Sequence, residues 1–250
     1  VGAALETKGL KKLFGALAVA NNISLTVEQG ARHALIGPNG AGKTTLVNLL
    51  TGVLVPNGGR VILNGVDITG EPQHRRVSLG LARTFQVNQL FPNMTPLESV
   101  ALAVAERRCT TARWWPRLAK NSQTIEEAAE LLDRLRMLDY AHEPSKTLPY
   151  GRQRMLEIAL ALALQPRVLL LDEPAAGVPE GEGVELYDAL AELPSTVAVL
   201  LIEHDMDLVF RFARRITVLV SGSILVEGTP EEISADPRVR EVYLGEAAHG

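Results

Sequence analysis

The chain has 250 residues, enough to bury a substantial core as one large domain or as a domain carrying a subdomain. Its formal net charge of −4 gives no electrostatic footprint for nucleic acid, and no polybasic stretch offers itself to an anionic lipid surface. The single cysteine, Cys109, excludes an internal disulfide, and no apolar run approaches the roughly 18 residues needed to span a bilayer. No leader-like pattern is visible after Val1. Together these features predict a cytosolic protein of a reducing compartment and leave its function open.

Ile23, Leu25 and Val27 alternate with polar residues, which predicts a half-buried strand. Ala31 to Ile36 reads as a short strand ending in an apolar run, and Thr44 to Leu50 as the first turns of a helix. Between them stands Gly37-Pro38-Asn39-Gly40-Ala41-Gly42-Lys43-Thr44-Thr45, which meets the pattern G-x-x-x-x-G-K-[ST] at every fixed position. The glycines let successive backbone N–H groups turn inward onto phosphate oxygens, and the helix N-terminus adds partial positive charge. Lys43 supplies a point charge for the β- and γ-phosphates, and the Thr44 hydroxyl is placed to ligate Mg2+. The chain is therefore expected to bind a nucleoside triphosphate.

Pro56 to Gly59 reads as a turn and Val61 to Leu63 as a further strand. Arg83-Thr84-Phe85 is a short strand followed by Gln86, whose amide could reach Mg2+ or a lytic water; an ordinary strand end explains it equally well. From Thr95 the pattern turns helical. Thr95-Pro96-Leu97-Glu98 is a capping box with proline at the first helical position, and Thr124-Ile125-Glu126-Glu127 reads as a second box. The latter opens a helix with Ile125, Ala128, Leu132 and Leu135 on one face, so residues 88–149 read as an inserted helical subdomain. Trp114-Trp115-Pro116 lies inside that insertion, fitting either internal packing or an exposed contact with a membrane partner.

Beyond the insertion, Val168 to Leu171 and Val197 to Ile202 are continuous apolar runs, as parallel strands covered on both faces require. Leu186, Leu190 and Leu193 stripe the helix between them, two short strands flank Ser221-Gly222-Ser223, and Thr229-Pro230-Glu231-Glu232 caps a further helix. The first apolar run ends in Asp172-Glu173 and the second in Glu203-His204-Asp205, at the carboxyl edge where open α/β sheets bind ligands. Asp172 is suited to hold Mg2+, and Glu173, which cannot point the same way, to orient and deprotonate an attacking water. His204 is suited to donate to a γ-phosphate.

Taken together these motifs resemble an ATP-binding cassette (ABC) transport ATPase over essentially the whole chain. The segment Leu148-Pro149-Tyr150-Gly151-Arg152-Gln153 stands in the place of the family signature, just before the apolar helix Met155 to Leu164. The resemblance implies an α/β fold: a P-loop NTPase core with an ABC-type antiparallel β flank and an inserted α-helical subdomain, all in one nucleotide-binding domain over residues 1–250. It implies that ATP is held between two such domains, each signature closing on the other's phosphate loop. It makes Gln86 the residue that senses the membrane subunit, His204 the switch histidine and Phe14 the aromatic that stacks on adenine. It implies ATP and Mg2+ as ligands, two transmembrane permease subunits, a second ATPase (identical or not) and an extracytoplasmic solute-binding protein as partners, and a place on the inner face of the cell membrane. Nucleic acid is not among the expected partners.

The chain departs from the family pattern at several points. Pro149 replaces a serine, Tyr150 the first signature glycine, Arg152 a glutamine, Leu160 an arginine, and Pro179 an aspartate of the dimer-contacting loop. Leu-x-Tyr-Gly-x-Gln-Arg is nonetheless similar to one of the two ATPases of branched-chain amino-acid uptake. Ala82-Arg83-Thr84-Phe85-Gln86, Asp172-Glu173-Pro174-Ala175-Ala176-Gly177, Glu203-His204-Asp205-Met206 and Tyr243-Leu244-Gly245-Glu246 agree with that branch. The alternatives are relatives that import urea, amides or aromatic acids, a lipopolysaccharide-export ATPase, a soluble ABC protein of DNA repair or translation, and a nucleotide-binding regulator without turnover. The acidic balance, the single cassette and the lack of a long heptad run argue against the soluble class.

Overall fold

The computed structural model describes residues 2–84, 90–108 and 122–247. Gln86 and Trp114-Trp115 lie outside the described residues, as does Cys109. The chain divides into two compact units, one formed by Val1–Leu81, Arg167–Glu173 and Pro194–Gly250, the other by Ala82–Pro166 and Pro174–Leu193. Residues 88–149 fall within the second. No helix among the described residues is long and apolar enough to cross a membrane.

The first unit opens with β1 (Ala3–Phe14), β2 (Leu17–Ile23) and β3 (Thr26–Glu28), followed by β4 (Arg32–Ile36) and α1 (Lys43–Thr51). Next come β5 (Gly58–Leu63), β6 (Val66–Asp67) and α2 (Gln73–Ser78). The short β7 (Leu81–Arg83) carries the chain into the second unit. The second unit holds α3 (Pro96–Arg107), α4 (Ser122–Arg134), α5 (Tyr150–Ala163) and α6 (Glu180–Ala191). Back in the first unit lie β8 (Val168–Asp172), β9 (Ala198–Ile202), α7 (Met206–Phe212), β10 (Arg215–Val220), β11 (Ser223–Gly228), α8 (Pro230–Ala235) and α9 (Pro237–Ala247).

Two sheets build the first unit. One runs β2-β1-β5-β6, with β3 also paired to β1, and its pairs are antiparallel. The other runs β11-β10-β4-β9-β8, parallel from β10 to β8 with β11 antiparallel at the edge. All five residues of β4, of β8 and of β9 are buried, which explains the apolar runs Val168 to Leu171 and Ala198 to Ile202. Leu35, Leu46, Leu50, Leu170, Leu200 and Leu219 join Leu5, Leu10, Ile23 and Val61 in one core. In the second unit α3, α4 and α5 pack on one another through buried Val100, Val104, Ala128, Leu132, Leu156 and Ala159. The observed folding class is the α/β arrangement the sequence predicts.

Two local expectations need correction. Ile23, Leu25 and Val27 are all buried, but they do not share one strand: the chain breaks between β2 and β3. Thr7 causes the break, because its Oγ1 donates to the Ile23 carbonyl (3.0 Å) and accepts from the Leu25 N–H (2.8 Å), replacing a ladder bond. The second capping box is also absent. α4 already includes Ser122, three residues before the expected first helical residue Ile125, and Thr124 is buried inside it. The capping boxes at Thr95 and Thr229 form as expected, each with its proline in the first turn.

β4 also carries a buried histidine that no motif flags. His33 Nε2 lies 2.8 Å from Thr217 Oγ1 on β10, and Thr217 donates to Glu227 on β11 (2.8 Å), which in turn pairs with Arg215. With the Thr217 proton used on Glu227, the shared oxygen accepts from His33 Nε2–H, while the buried Nδ1 meets no acceptor, which suits the neutral ring. Burial depresses its pKa from 6.5 to about 4; Glu227 opposes the shift and Arg215 adds to it. A depressed histidine contributes stability above pH 6.5 that is lost as pH falls toward 4, about 3 kcal/mol in all. His33→Gln is therefore expected to flatten the loss of unfolding free energy between pH 6.5 and 4, measured by urea titration; an unchanged slope would place the acid sensitivity elsewhere.

Candidate functional site

β4, β9 and β8 are neighbouring parallel strands, and their register decides where the candidate residues gather. Ile202 at the end of β9 pairs with Leu35 on one side and with Asp172 on the other. The loop leaving Ile36, the pair Asp172-Glu173 and the pair Glu203-His204 therefore leave one sheet edge side by side. Adjacent strands lie about 4.8 Å apart, so the phosphate-loop strand and the acidic strand are roughly 10 Å apart across β9.

The loop from Gly37 to Gly42 has its shape set by close backbone approach. Gly37 has φ 153°, and a Cβ there would collide with the Leu219 carbonyl of β10. The Ala41 N–H donates to the Pro38 carbonyl, and the Ala41 carbonyl accepts from the Gly222 N–H (2.9 Å). Lys43 folds over this loop and donates to the carbonyls of Gly37 and Pro38. Helix α1 starts from Gly42 with no side chain capping its N–H groups, so its donors point at the loop's concave side, as an anion site requires. Thr44 and Thr45 sit in its first turn.

Asp172 is buried, whereas Glu173 is half-exposed and holds a left-handed backbone, φ 48°. That conformation costs a non-glycine residue about 1 kcal/mol or more and recurs at functional positions. It is over-determined here by the Glu173 N–H, which donates to the Ile202 carbonyl at 2.9 Å. The carboxylate turns toward the end of β9: Glu173 Oε1 is 3.6 Å from His204 Nδ1, and Glu203 Oε2 is 3.5 Å from the same nitrogen. Sequence reasoning misses Glu203, which reads there as one more acid after an apolar run. It is buried, and its Oε2 accepts the His204 backbone N–H at 3.0 Å, fixing the turn from which the exposed imidazole projects.

Phe14 sits at the exposed tip of the β1–β2 hairpin, paired with Leu17, with Lys12 Nζ 5.4 Å from its ring centroid. It is not a core residue.

The signature stretch belongs to the second unit. α5 begins at Tyr150, so the segment is its first turn, with Pro149 at the N-cap position and no side chain capping it. The Pro149 carbonyl accepts from the Gln153 N–H, and the Gln153 side chain donates to the Leu148 carbonyl. Gly151 is buried against the Glu182 carboxylate of α6. Arg152 turns away to pair with Glu185 (2.7 Å) and lies over the Tyr140 ring. Pro179 occupies the N-cap of α6.

The sequence profile described as ABC transporter matches residues 20–176. The chain belongs to the ABC transporter family. A second profile, described as branched-chain amino acid ATP-binding cassette transporter, matches residues 223–249 of this ABC cassette. The high-affinity branched-chain amino acid transport ATP-binding protein BraF of Pseudomonas aeruginosa is 42% identical, the alignment covering 97% of this chain and 98% of that one. The protein of the same description named LivG, from Escherichia coli K12, is 41% identical with the same coverage. Among solved structures, the crystal structure of the ADP conformation of an ATP-binding cassette of an ABC transporter superposes with a TM-score of 0.85 at 30% identity, covering 98% of this chain and 100% of that one.

Proposed function

We propose that this ABC ATPase powers the import of branched-chain amino acids through a membrane permease. One observation carries the catalytic part: the phosphate loop, Asp172-Glu173 and Glu203-His204 leave three neighbouring parallel strands at one edge. The solute class is supported by the likeness to BraF and LivG and by the match over residues 223–249.

In this reading the loop N–H groups and Lys43 take the β- and γ-phosphates, Lys43 exchanging the Gly37 and Pro38 carbonyls for phosphate oxygens. Phe14, already exposed at its hairpin tip, stacks on the adenine. Glu173 takes a proton from the attacking water, and its partial exposure gives that water access. His204 donates to the γ-phosphate. Mg2+ fits the donors, which are hard oxygens: the Thr44 hydroxyl and the buried Asp172 carboxylate, with Gln86 added by the sequence reading. Among the described residues no group of three or more His, Cys, Asp or Glu could hold a metal alone. That suits an ion bound through one or two protein oxygens plus phosphates and water. When bound, it would neutralise charge on the transferring phosphoryl group.

A second ATPase completes the site with its signature, and the pair drives two permease subunits at the inner face of the membrane, fed by an extracytoplasmic binding protein. The test is affinity purification of the tagged Glu173→Gln chain with ATP from detergent-solubilised native membranes, followed by mass spectrometry. Two multi-span permeases and a second ATPase are the expected partners, with loss of leucine, isoleucine and valine uptake when the gene is deleted. Recovery of the chain alone, or unchanged uptake of these amino acids with loss of urea or amide uptake, would overturn the assignment.

A further inference from the structure

Tyr150 stands where the family signature carries a glycine, and its ring has a defined seat within the second unit. It lies against Gly177: a Cβ on Gly177 would meet Tyr150 Cε1 at 3.3 Å and Cζ and Oη at 3.7 Å. Gly177 has φ 75° and closes the turn in which the Val178 N–H donates to the Ala175 carbonyl at 3.0 Å. The ring is also held from within α5. Arg154 Nη2 donates to Tyr150 Oη at 2.7 Å, and its guanidinium stands 5.1 Å from the ring centroid. Arg154 is buried and is itself held by Glu157 at 2.9 Å. The ring, though part of it remains exposed, thus touches both a buried arginine of its own helix and a glycine where a side chain would be crowded.

The turn that Tyr150 covers leaves Glu173 directly, through Pro174. We infer that Tyr150 is a positioning residue that clamps the first turn of the signature helix to the loop following Glu173, so that these two segments are set as one piece during turnover. The inference rests on the reading of Glu173 as the base. It also gives the departure from the family pattern a local partner: the aromatic at 150 covers the turn at Gly177, where a side chain would be strained by φ 75° and crowded by the ring. The clamp touches no residue of its own chain's loop from Gly37 to Thr45, so it bears on turnover rather than on nucleotide affinity of the chain alone.

The test uses the full chain in whichever assembly, alone or with its partner ATPase, turns over ATP. Tyr150→Gly is expected to lower kcat roughly tenfold, with only a small fall in the unfolding midpoint from glycine in the first turn of α5, while the ATP affinity of the chain alone, which no second signature reaches, stays close to that of the unsubstituted chain. Tyr150→Phe, which keeps the ring and loses only the bond from Arg154, is expected to restore most of the rate. Gly177→Ala is expected to be deleterious in both backgrounds, because φ 75° strains any side chain there, and to cost more beside Tyr150, where the added methyl also meets the ring at 3.3 Å; strict additivity in this cycle would overturn the clamp. A wild-type kcat in Tyr150→Gly would overturn it as well. Loss of ATP affinity in step with kcat would show a general folding defect and count against it. Should the unsubstituted chain bind no ATP, the reading of the site itself fails, an outcome distinguishable from all of these.

Discussion

Glu173→Gln is expected to lower ATP turnover by about 10²–10⁴-fold while leaving ATP affinity nearly unchanged. The amide keeps the shape of the carboxylate and can hold the same left-handed backbone and the same bond from the residue-173 N–H to Ile202. It cannot accept a proton from water, so the step that fails is bond cleavage. In the proposed reading binding is carried by the loop from Gly37 to Thr45, which follows a different strand. The variant should therefore accumulate in the ATP-bound, associated form, read by size-exclusion chromatography with and without ATP beside a phosphate-release assay. Turnover at the unsubstituted rate would mean that another group takes the proton, and the other carboxylate beside His204 is the buried Glu203. A parallel loss of ATP affinity would instead show that Glu173 supports the loop.

What the sequence displays and what it hides follow from how far each interaction reaches along the chain. The phosphate loop, the acidic strand end and the capping boxes at Thr95 and Thr229 are local patterns, and each forms where its residues predict. Thr124 shows the limit of the same logic. Its four-residue pattern is indistinguishable from a box, yet Ser122 and Gln123 already continue the helix upstream and Thr124 ends up buried. The strand order that gathers the site depends on pairings between residues such as Leu35 and Ile202, which no local pattern encodes. The break after Ile23 depends on the hydroxyl of Thr7, 16 residues away. Tyr150 and Arg152 read as anomalies of the signature until Gly177 and Glu185 are brought beside them. Charged residues are hidden most thoroughly, because a lone arginine or histidine in a sequence reads as surface by default.

Arg76 is the extreme case, and its removal carries the largest expected loss of stability. It lies in α2 between Arg75 and Val77 and looks like one of a pair of surface cations, yet it is almost completely buried. Its guanidinium is held by backbone carbonyls: Leu49 (2.8 Å), Leu50 (2.6 Å), Thr69 (2.8 Å) and Glu71 (2.8 Å). Two of these belong to the last turn of α1, whose carbonyls have no partner within the helix. A cation there complements the negative end of the helix dipole. Burial lowers its pKa from the usual value without bringing it near neutrality, because arginine stays protonated in proteins. Arg76→Met keeps much of the volume and strands these acceptors, so a loss of about 3–5 kcal/mol is expected, or roughly 6–20 °C in the unfolding midpoint. Arg76→Lys should recover only part of it, since one ammonium has three donors and cannot span the fork. Because α1 carries the phosphate loop at its other end, the Met variant should also bind ATP more weakly than its loss of folded fraction alone explains. Thermal unfolding with and without saturating ATP measures both effects. A midpoint within about 2 °C of the unsubstituted chain would show that water replaces the guanidinium at little cost, and that the C-terminus of α1 needs no cation.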